Sequence, residues 1–221
     1  MRAILWKREL RSRKRPAVVT QEGTIMKKNV AVFMDRDGTI NEEVGYLRRV
    51  EDLVLIPVAA EAVRLVNEEG MKAVVVTNQS GVAKGFFTEE DVRLINGRLA
   101  EMLRDEGAVI DRFYYCPHHP TEGRDPYRVA CACRKPEPGM LLQAAAELDI
   151  ELARSYLIGD MLKDLDAAHR VGAKGVLVRT GYGKNIGITD GPDYIAEDIL
   201  DAVRWILDDR KKARHPSTGP V

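Results

Sequence analysis

Apolar residues fall into two rhythms along this chain. Short and largely apolar, often β-branched runs at Val30–Met34, Ala73–Thr77, Arg112–Tyr115, Tyr156–Gly159 and Gly175–Val178 read as strands, and "DYIA" at 193–196 is a weaker sixth. Between them, patterns of period ~3.6 over Val58–Glu69, Glu89–Glu106, Gly139–Leu148, Leu162–Val171 and Ile199–Asp208 read as helices. "TEEDV" from Thr88 marks a helix start, a hydroxyl cap followed by acids in the first turn. Strands apolar on both faces, alternating with helices, predict a doubly wound parallel α/β sheet covered by helices on both sides.

Composition narrows what such a sheet serves. The 221 residues suit one substantial domain, expected over residues 26–209. A net charge of zero gives no electrostatic reason to expect nucleic acid or an anionic membrane, and no apolar run approaches the ~20 residues that span a bilayer. A small molecule is the expected partner, and nothing in the chain demands more than a monomer. Residues 1–28 carry nine Lys or Arg against two Glu, without the apolar core of a secretory signal. Residues 1–25 therefore read as a disordered basic extension, and 210–221 as a disordered tail. The absence of a secretory signal and a few clustered cysteines make a reducing cytoplasm the expected setting.

In a parallel sheet, ligands bind beyond the carboxyl ends of the strands. The first strand runs into Asp35-Arg36-Asp37, the second into Thr77-Asn78-Gln79-Ser80, and the fourth into "GDMLKD", which holds Asp160 and Asp164. Residues i and i+2 of an extended strand share a side, so Asp35 and Asp37 are expected in one pocket with Arg36 pointing away. Two such acids need a cation between them or a shared proton. Asp160 adds a third acid, and Asp164 is placed to orient it from one helical face. Several oxygen ligands suit Mg²⁺. Lys135 and the Thr77 hydroxyl complete a setting for phosphoryl transfer, whose demands are positioning and charge neutralisation.

"DRDGT", "TNQSG", "RKP" and "GDMLKD" together resemble the four motifs of the haloacid dehalogenase superfamily of phosphatases. The resemblance implies Asp35 as nucleophile, forming an aspartyl-phosphate, and Asp37 as general acid and base. It implies Thr77 and Lys135 as stabilisers of the phosphoryl group. Asp35, the backbone carbonyl of Asp37 and Asp160 are implied to hold Mg²⁺, with Asp164 in support. A signalling receiver domain shares the sheet, the acidic pocket and the lysine, but lacks the second aspartate.

Cys116-x-His118 and Cys131-x-Cys133 form two close pairs separated by a loop, a donor set suited to tetrahedral structural Zn²⁺. His118 is preferred to His119 because it matches the spacing of the other pair. With this loop, the residues from about Met26 to Val178 resemble the branch of heptose 1,7-bisphosphate and histidinol-phosphate phosphatases. That branch implies removal of the 7-phosphate in precursor synthesis for lipopolysaccharide core or surface glycans, with histidinol phosphate as the alternative substrate. It implies substrate contacts from Glu43, Val44, Gly45 and Tyr46, with Asn78, Gln79, Ser80 and Arg134, and no large cap domain. For a second phosphate, Lys84 and Arg179 are candidate helpers of Arg134. A lysine often follows the Mg²⁺-binding aspartate in that branch; here Met161 stands there, with Lys163 as the nearby cation.

Overall fold

Six strands, β1 (Ala31–Met34), β2 (Lys72–Asn78), β3 (Arg112–Cys116), β4 (Tyr156–Gly159), β5 (Lys174–Val178) and β6 (Tyr194–Ala196), form one parallel sheet in the order β3-β2-β1-β4-β5-β6. The computed structural model describes residues 28–187 and 191–214. The expected basic extension over residues 1–25 lies outside them. Each predicted strand is present, with ends within a residue or two of those expected.

Side-chain alternation splits the core into two layers. Val32 and Met34 face one side with Val75 and Ile158, under α1 (Ala59–Glu68), α2 (Glu89–Asp105) and α5 (Ile199–Arg214). Ala31 and Phe33 face the other with Val74 and Val76, under α3 (Gly139–Leu148) and α4 (Leu162–His169). The central strands are wholly buried because helices cover both faces. At the start of α2, Thr88 Oγ1 accepts from the Asp91 amide at 3.2 Å while Asp91 Oδ2 accepts from the Thr88 amide at 2.7 Å, a reciprocal cap.

The C-terminal helix corrects one expectation. It continues past Asp208 to Arg214, so residues 210–214, expected in a disordered tail, are helical. Arg, Lys and Ala are strong helix formers, and basic residues suit a helix C-terminus. Tertiary contacts hold the turn as well: Asp209 accepts from Lys174 Nζ and Tyr156 Oη, both at 2.7 Å. The remainder of the expected tail, 215–221, lies outside the described residues.

Burial pushes the Asp209 carboxyl up, but Lys174 and the Tyr156 hydroxyl outweigh it and hold the group below the usual carboxylate range. A depressed folded pKa contributes stability above the unfolded value of about 3.9 and loses it as pH falls through the lower folded value. Asp209→Asn is therefore expected to cost about 1 kcal/mol at pH 7, and the gap from wild type to narrow below about pH 4, in denaturant titrations across pH.

Candidate active site

The three innermost strands deliver their ends to one edge. Asp35 follows β1, Thr77 and Asn78 finish β2, and Asp160 follows β4, on either side of the position where strand order reverses. A cleft of about 250 Å³ opens there, lined among others by Asp35, Asp37, Thr77, Arg134, Asp160 and Lys163.

Beneath its floor lies Lys135, almost wholly buried. Its Nζ stands 3.0 Å from Asp35 Oδ1, 2.7 Å from Asp164 Oδ1 and 2.7 Å from the Val76 carbonyl. Burial works against the charged ammonium, but Asp164 and Asp35 overcome it and raise its pKa. Its backbone is pinned by Asn78, which donates to the Lys135 carbonyl and accepts from the Lys135 amide, each at 3.0 Å.

Asp37 has a different cation. Asp35 and Asp37 share the cleft and Arg36 does not line it, as expected, but its fully buried guanidinium still pairs with Asp37, Nη2 lying 2.8 Å from Oδ2 and Nε 3.1 Å from Oδ1. The strand stops at Met34, so the alternation that would separate residues 35–37 no longer applies. Asn41 donates to Asp37 Oδ1 at 3.0 Å and Gln79 to Oδ2 at 2.8 Å. Burial pushes the Asp37 carboxyl up, yet the Arg36 charge and these donors bring it below the usual range.

Among the described residues, Asp160 has no such cation. Burial and the charge of Asp35 raise it to about 7, against a hydrogen bond from the Tyr182 amide at 2.9 Å. Gly38 (φ +77) and Gly181 (φ +48) let two turns close against it; a Cβ on either would collide with its carboxylate. Asp164 does not orient Asp160 as expected. Asp160 precedes α4 rather than sharing its face, and Asp164 spends Oδ1 on Lys135 and Oδ2 on the Met161 amide.

Of the expected substrate contacts, Glu43, Gly45, Tyr46, Asn78, Gln79, Ser80 and Arg134 line the cleft. Val44 does not; it points to solvent at 53% exposure. Asn78 and Gln79 have their side chains committed to Lys135 and to Asp37 and Thr77, so their contribution is to hold the machinery. Burial and the charges of Asp37 and Asp35 raise the Glu43 carboxyl, while a hydrogen bond from the Gly45 amide opposes them. Lys84 and Arg179 do not line the cleft: Lys84 pairs with Glu122 at 2.8 Å and Arg179 lies 4.0 Å from Glu197.

The four thiolate-loop residues converge. Cys116, His118, Cys131 and Cys133 place their donor atoms within 4.8 Å of one another. The close contacts among them run from 3.2 Å (Cys133–Cys116) to 3.7 Å (Cys116–His118), near the ~3.7 Å edges of a tetrahedron built on Zn–S bonds. Hydrogen bonding with Cys116 draws the Cys133 thiol down to about 5, against burial. His119 is turned elsewhere, its Nδ1 accepting from the Glu122 amide at 2.9 Å. The set is compatible with zinc.

A HAD-hydrolase-like family model matches residues 132–202. The chain is 43% identical over 185 residues to the D-glycero-D-manno-heptose-1,7-bisphosphate 7-phosphatase of Thermosynechococcus vestitus, covering 80% of this chain and 94% of that one. It is 45% identical over 178 residues to the D-glycero-beta-D-manno-heptose-1,7-bisphosphate 7-phosphatase of Yersinia pestis, with the same coverage. The chain belongs to the heptose-bisphosphate phosphatase family of HAD-like hydrolases. Among solved structures, the D,D-heptose 1,7-bisphosphate phosphatase of B. bronchiseptica, complexed with magnesium and phosphate, superimposes with a TM-score of 0.72 at 31% identity, over 81% of this chain and 99% of that one.

The side chains present fit the magnesium of that relative. Asp35, Asp160 and Asp164 bring carboxylate oxygens within 4.8 Å of one another, and Asp160 in particular has no partner cation among the described residues. The motif-based reading that points to the family misses Arg36, Asn41 and Tyr182, the last of which also lines the cleft. "TGYG" after β5, an aromatic between glycines at a strand's carboxyl end, is the signal that marks Tyr182.

Removing a buried cation strands its partners. Lys135→Met is expected to lower the unfolding free energy of the metal-free protein by about 3–5 kcal/mol, and adding Asp164→Leu to recover at least half of it, by urea titration.

Proposed function

We propose that this protein is a Mg²⁺-dependent phosphatase that removes the 7-phosphate of D-glycero-D-manno-heptose 1,7-bisphosphate. The observation that carries the reading is a match along most of the chain to enzymes of that activity, together with a cleft whose acids and cations suit phosphoryl transfer. In this reading the enzyme works in the reducing cytoplasm, where thiolates remain available to a metal.

Asp35 attacks phosphorus, the bond from phosphorus to the sugar oxygen breaks, and Asp37 gives that oxygen a proton. An aspartyl-phosphate and the free alcohol result. Asp37, now ionised, takes a proton from water as that water attacks phosphorus; the bond to Asp35 breaks and inorganic phosphate leaves. Splitting a very slow hydrolysis at a carboxylate divides one high barrier into two lower ones. The donors around Asp37 match its ionised form, the one needed in the second half.

Lys135 donates to the Val76 carbonyl and pairs with the carboxylates of Asp35 and Asp164. As charge moves from Asp35 onto the phosphoryl oxygens, the N–H facing Asp35 Oδ1 gains a new acceptor there. The Thr77 hydroxyl, which accepts from Gln79 at 2.9 Å, has its own proton free to donate to the phosphoryl group. Asp35, the Asp37 carbonyl and Asp160 would hold Mg²⁺, which when bound neutralises charge on the phosphoryl oxygens. Cys116, His118, Cys131 and Cys133 would hold Zn²⁺, whose task there would be structural, bracing the loop that leads directly into Arg134 and Lys135.

Phosphate release from a panel of sugar bisphosphates, monophosphates and histidinol phosphate tests the substrate. The expected kcat/KM on heptose bisphosphate exceeds that on histidinol phosphate by at least ~10-fold, a difference of ~1.4 kcal/mol in transition-state binding. A tenfold preference the other way overturns it. For the metal loop, elemental analysis is expected to find about one zinc per chain, lost in Cys133→Ser together with most activity. Asp35→Asn is expected to keep the zinc while losing turnover.

A further inference from the structure

Helix α2 packs an apolar stripe of Val92, Ile95, Leu99 and Leu103 into the core, and Asn96 lies buried beside it. A buried amide needs a partner, and Asn96 Oδ1 accepts from Arg36 Nη1 at 3.0 Å. The guanidinium is a planar fork, so holding Nη1 sets the plane in which Nε and Nη2 meet Asp37. The Arg36 backbone is fixed as well, its carbonyl accepting from the amides of Ile40 at 2.9 Å and Asn41 at 3.1 Å.

We propose that Asn96, outside the cleft, is a positioning residue for the reaction, acting through Arg36 to aim the Asp37 carboxyl at the leaving sugar oxygen. The proposal rests on the reading of Asp37 as the donor to that oxygen. The chain of contacts runs from a core helix through a buried cation to the acid, and neither Asn96 nor Arg36 needs to touch substrate. Asn41 and Gln79 also hold Asp37, so loss of Asn96 loosens the acid without freeing it.

A purely structural Asn96 and a positioning Asn96 differ in leaving-group dependence. A sugar alkoxide needs a proton as it departs, whereas p-nitrophenolate leaves without one. Asn96→Leu keeps the shape and removes the acceptor; Asn96→Asp keeps both. With Mg²⁺ present, Asn96→Leu is expected to lower kcat/KM on the sugar bisphosphate by about tenfold, part of the ~10²–10⁴-fold that a positioned acid contributes, and on p-nitrophenyl phosphate by less than about threefold. Asn96→Asp is expected to stay within about threefold of wild type on both substrates. Arg36→Lys, which keeps the charge without the fork, is expected to repeat the leaving-group selectivity, and serves should Asn96→Leu fail to fold.

Equal losses on both substrates, no loss at all, or an Asn96→Asp variant as impaired as Asn96→Leu would each overturn the proposal. Asp37→Asn is the control for the underlying reading. If that variant loses no more activity on the sugar bisphosphate than on the aryl phosphate, the assignment of Asp37 falls, and the proposal with it. If it discriminates and Asn96→Leu does not, only the proposal falls.

Discussion

A buried ammonium between two buried carboxylates sets the terms for the catalytic edge. Lys135, Asp35 and Asp164 lie almost wholly out of water, and each is tolerable there only because the others are present. The group cannot assemble locally, since Asp35 follows β1, Asp164 sits in α4 and Lys135 comes from the loop before α3. Their meeting requires the parallel order that puts β2, β1 and β4 side by side. Val76 and Asn78 at the end of β2 then fix the lysine from below and along its backbone. Sheet formation and site formation are thus one event.

The same edge solves the problem of like charges by giving each acid its own partner. Asp35 rests on Lys135, and Asp37 is clasped by Arg36, Asn41 and Gln79. Asp160 is the exception, raised to about 7 by burial and by Asp35. A carboxyl whose ionised form is disfavoured by burial and a neighbouring acid is favoured by a nearby divalent ion, which fits magnesium at this position. The division also separates duties. In the proposed mechanism the acid assigned to attack, Asp35, stands beside the Lys135 ammonium, while the acid assigned to move protons, Asp37, is fixed by donors from three segments.

Much of this is legible in the sequence, for identifiable reasons. Strands buried on both faces leave continuous apolar runs, so the apolar pattern alone places their ends, and with them Asp35, Thr77 and Asp160. The thiolate loop shows in its spacing. Side-chain direction beyond a strand's last residue is not legible. It is set by the turn, where the Arg36 carbonyl gathers successive amides and swings its side chain back onto Asp37. The partners of Asp164 and Asn78 are hidden for a related reason, because they depend on a lysine distant in sequence from both. The charged residues in the last turn of α5 look solvated, although Lys174 and Tyr156 anchor it across the sheet. Asn96 is invisible too: a polar residue within an amphipathic helix carries no sign of what lies under it.

Control of the rim follows from how the loops above the cleft hold one another. Tyr46, from the loop after β1, meets Phe86 edge-on with ring centroids 4.7 Å apart, and Arg48 stacks over Phe86 at 4.7 Å. Lys84 lies 5.7 Å above the Tyr46 ring and pairs with Glu122 of the thiolate loop at 2.8 Å. The two cation–aromatic contacts join the loops after β1 and β2, each worth ~0.5–1 kcal/mol where exposed. The Lys84–Glu122 pair, with the backbone bonds from the Ala83 N–H to the Pro117 carbonyl and from the Arg124 N–H to the Ala83 carbonyl, ties the second of these to the thiolate loop. The loop after β1 is thereby tied, through the loop after β2, to the thiolate loop. Arg134 belongs to that same loop, its Nη1 donating to the His118 carbonyl at 3.1 Å. A metal that fixes His118 and Cys133 thus steadies both the cation at the rim and, through the next residue, the lysine beneath the floor. With no large domain to close over the cleft among the described residues, loops tethered in this way form its border, and a metal at the thiolate cluster would brace one of them.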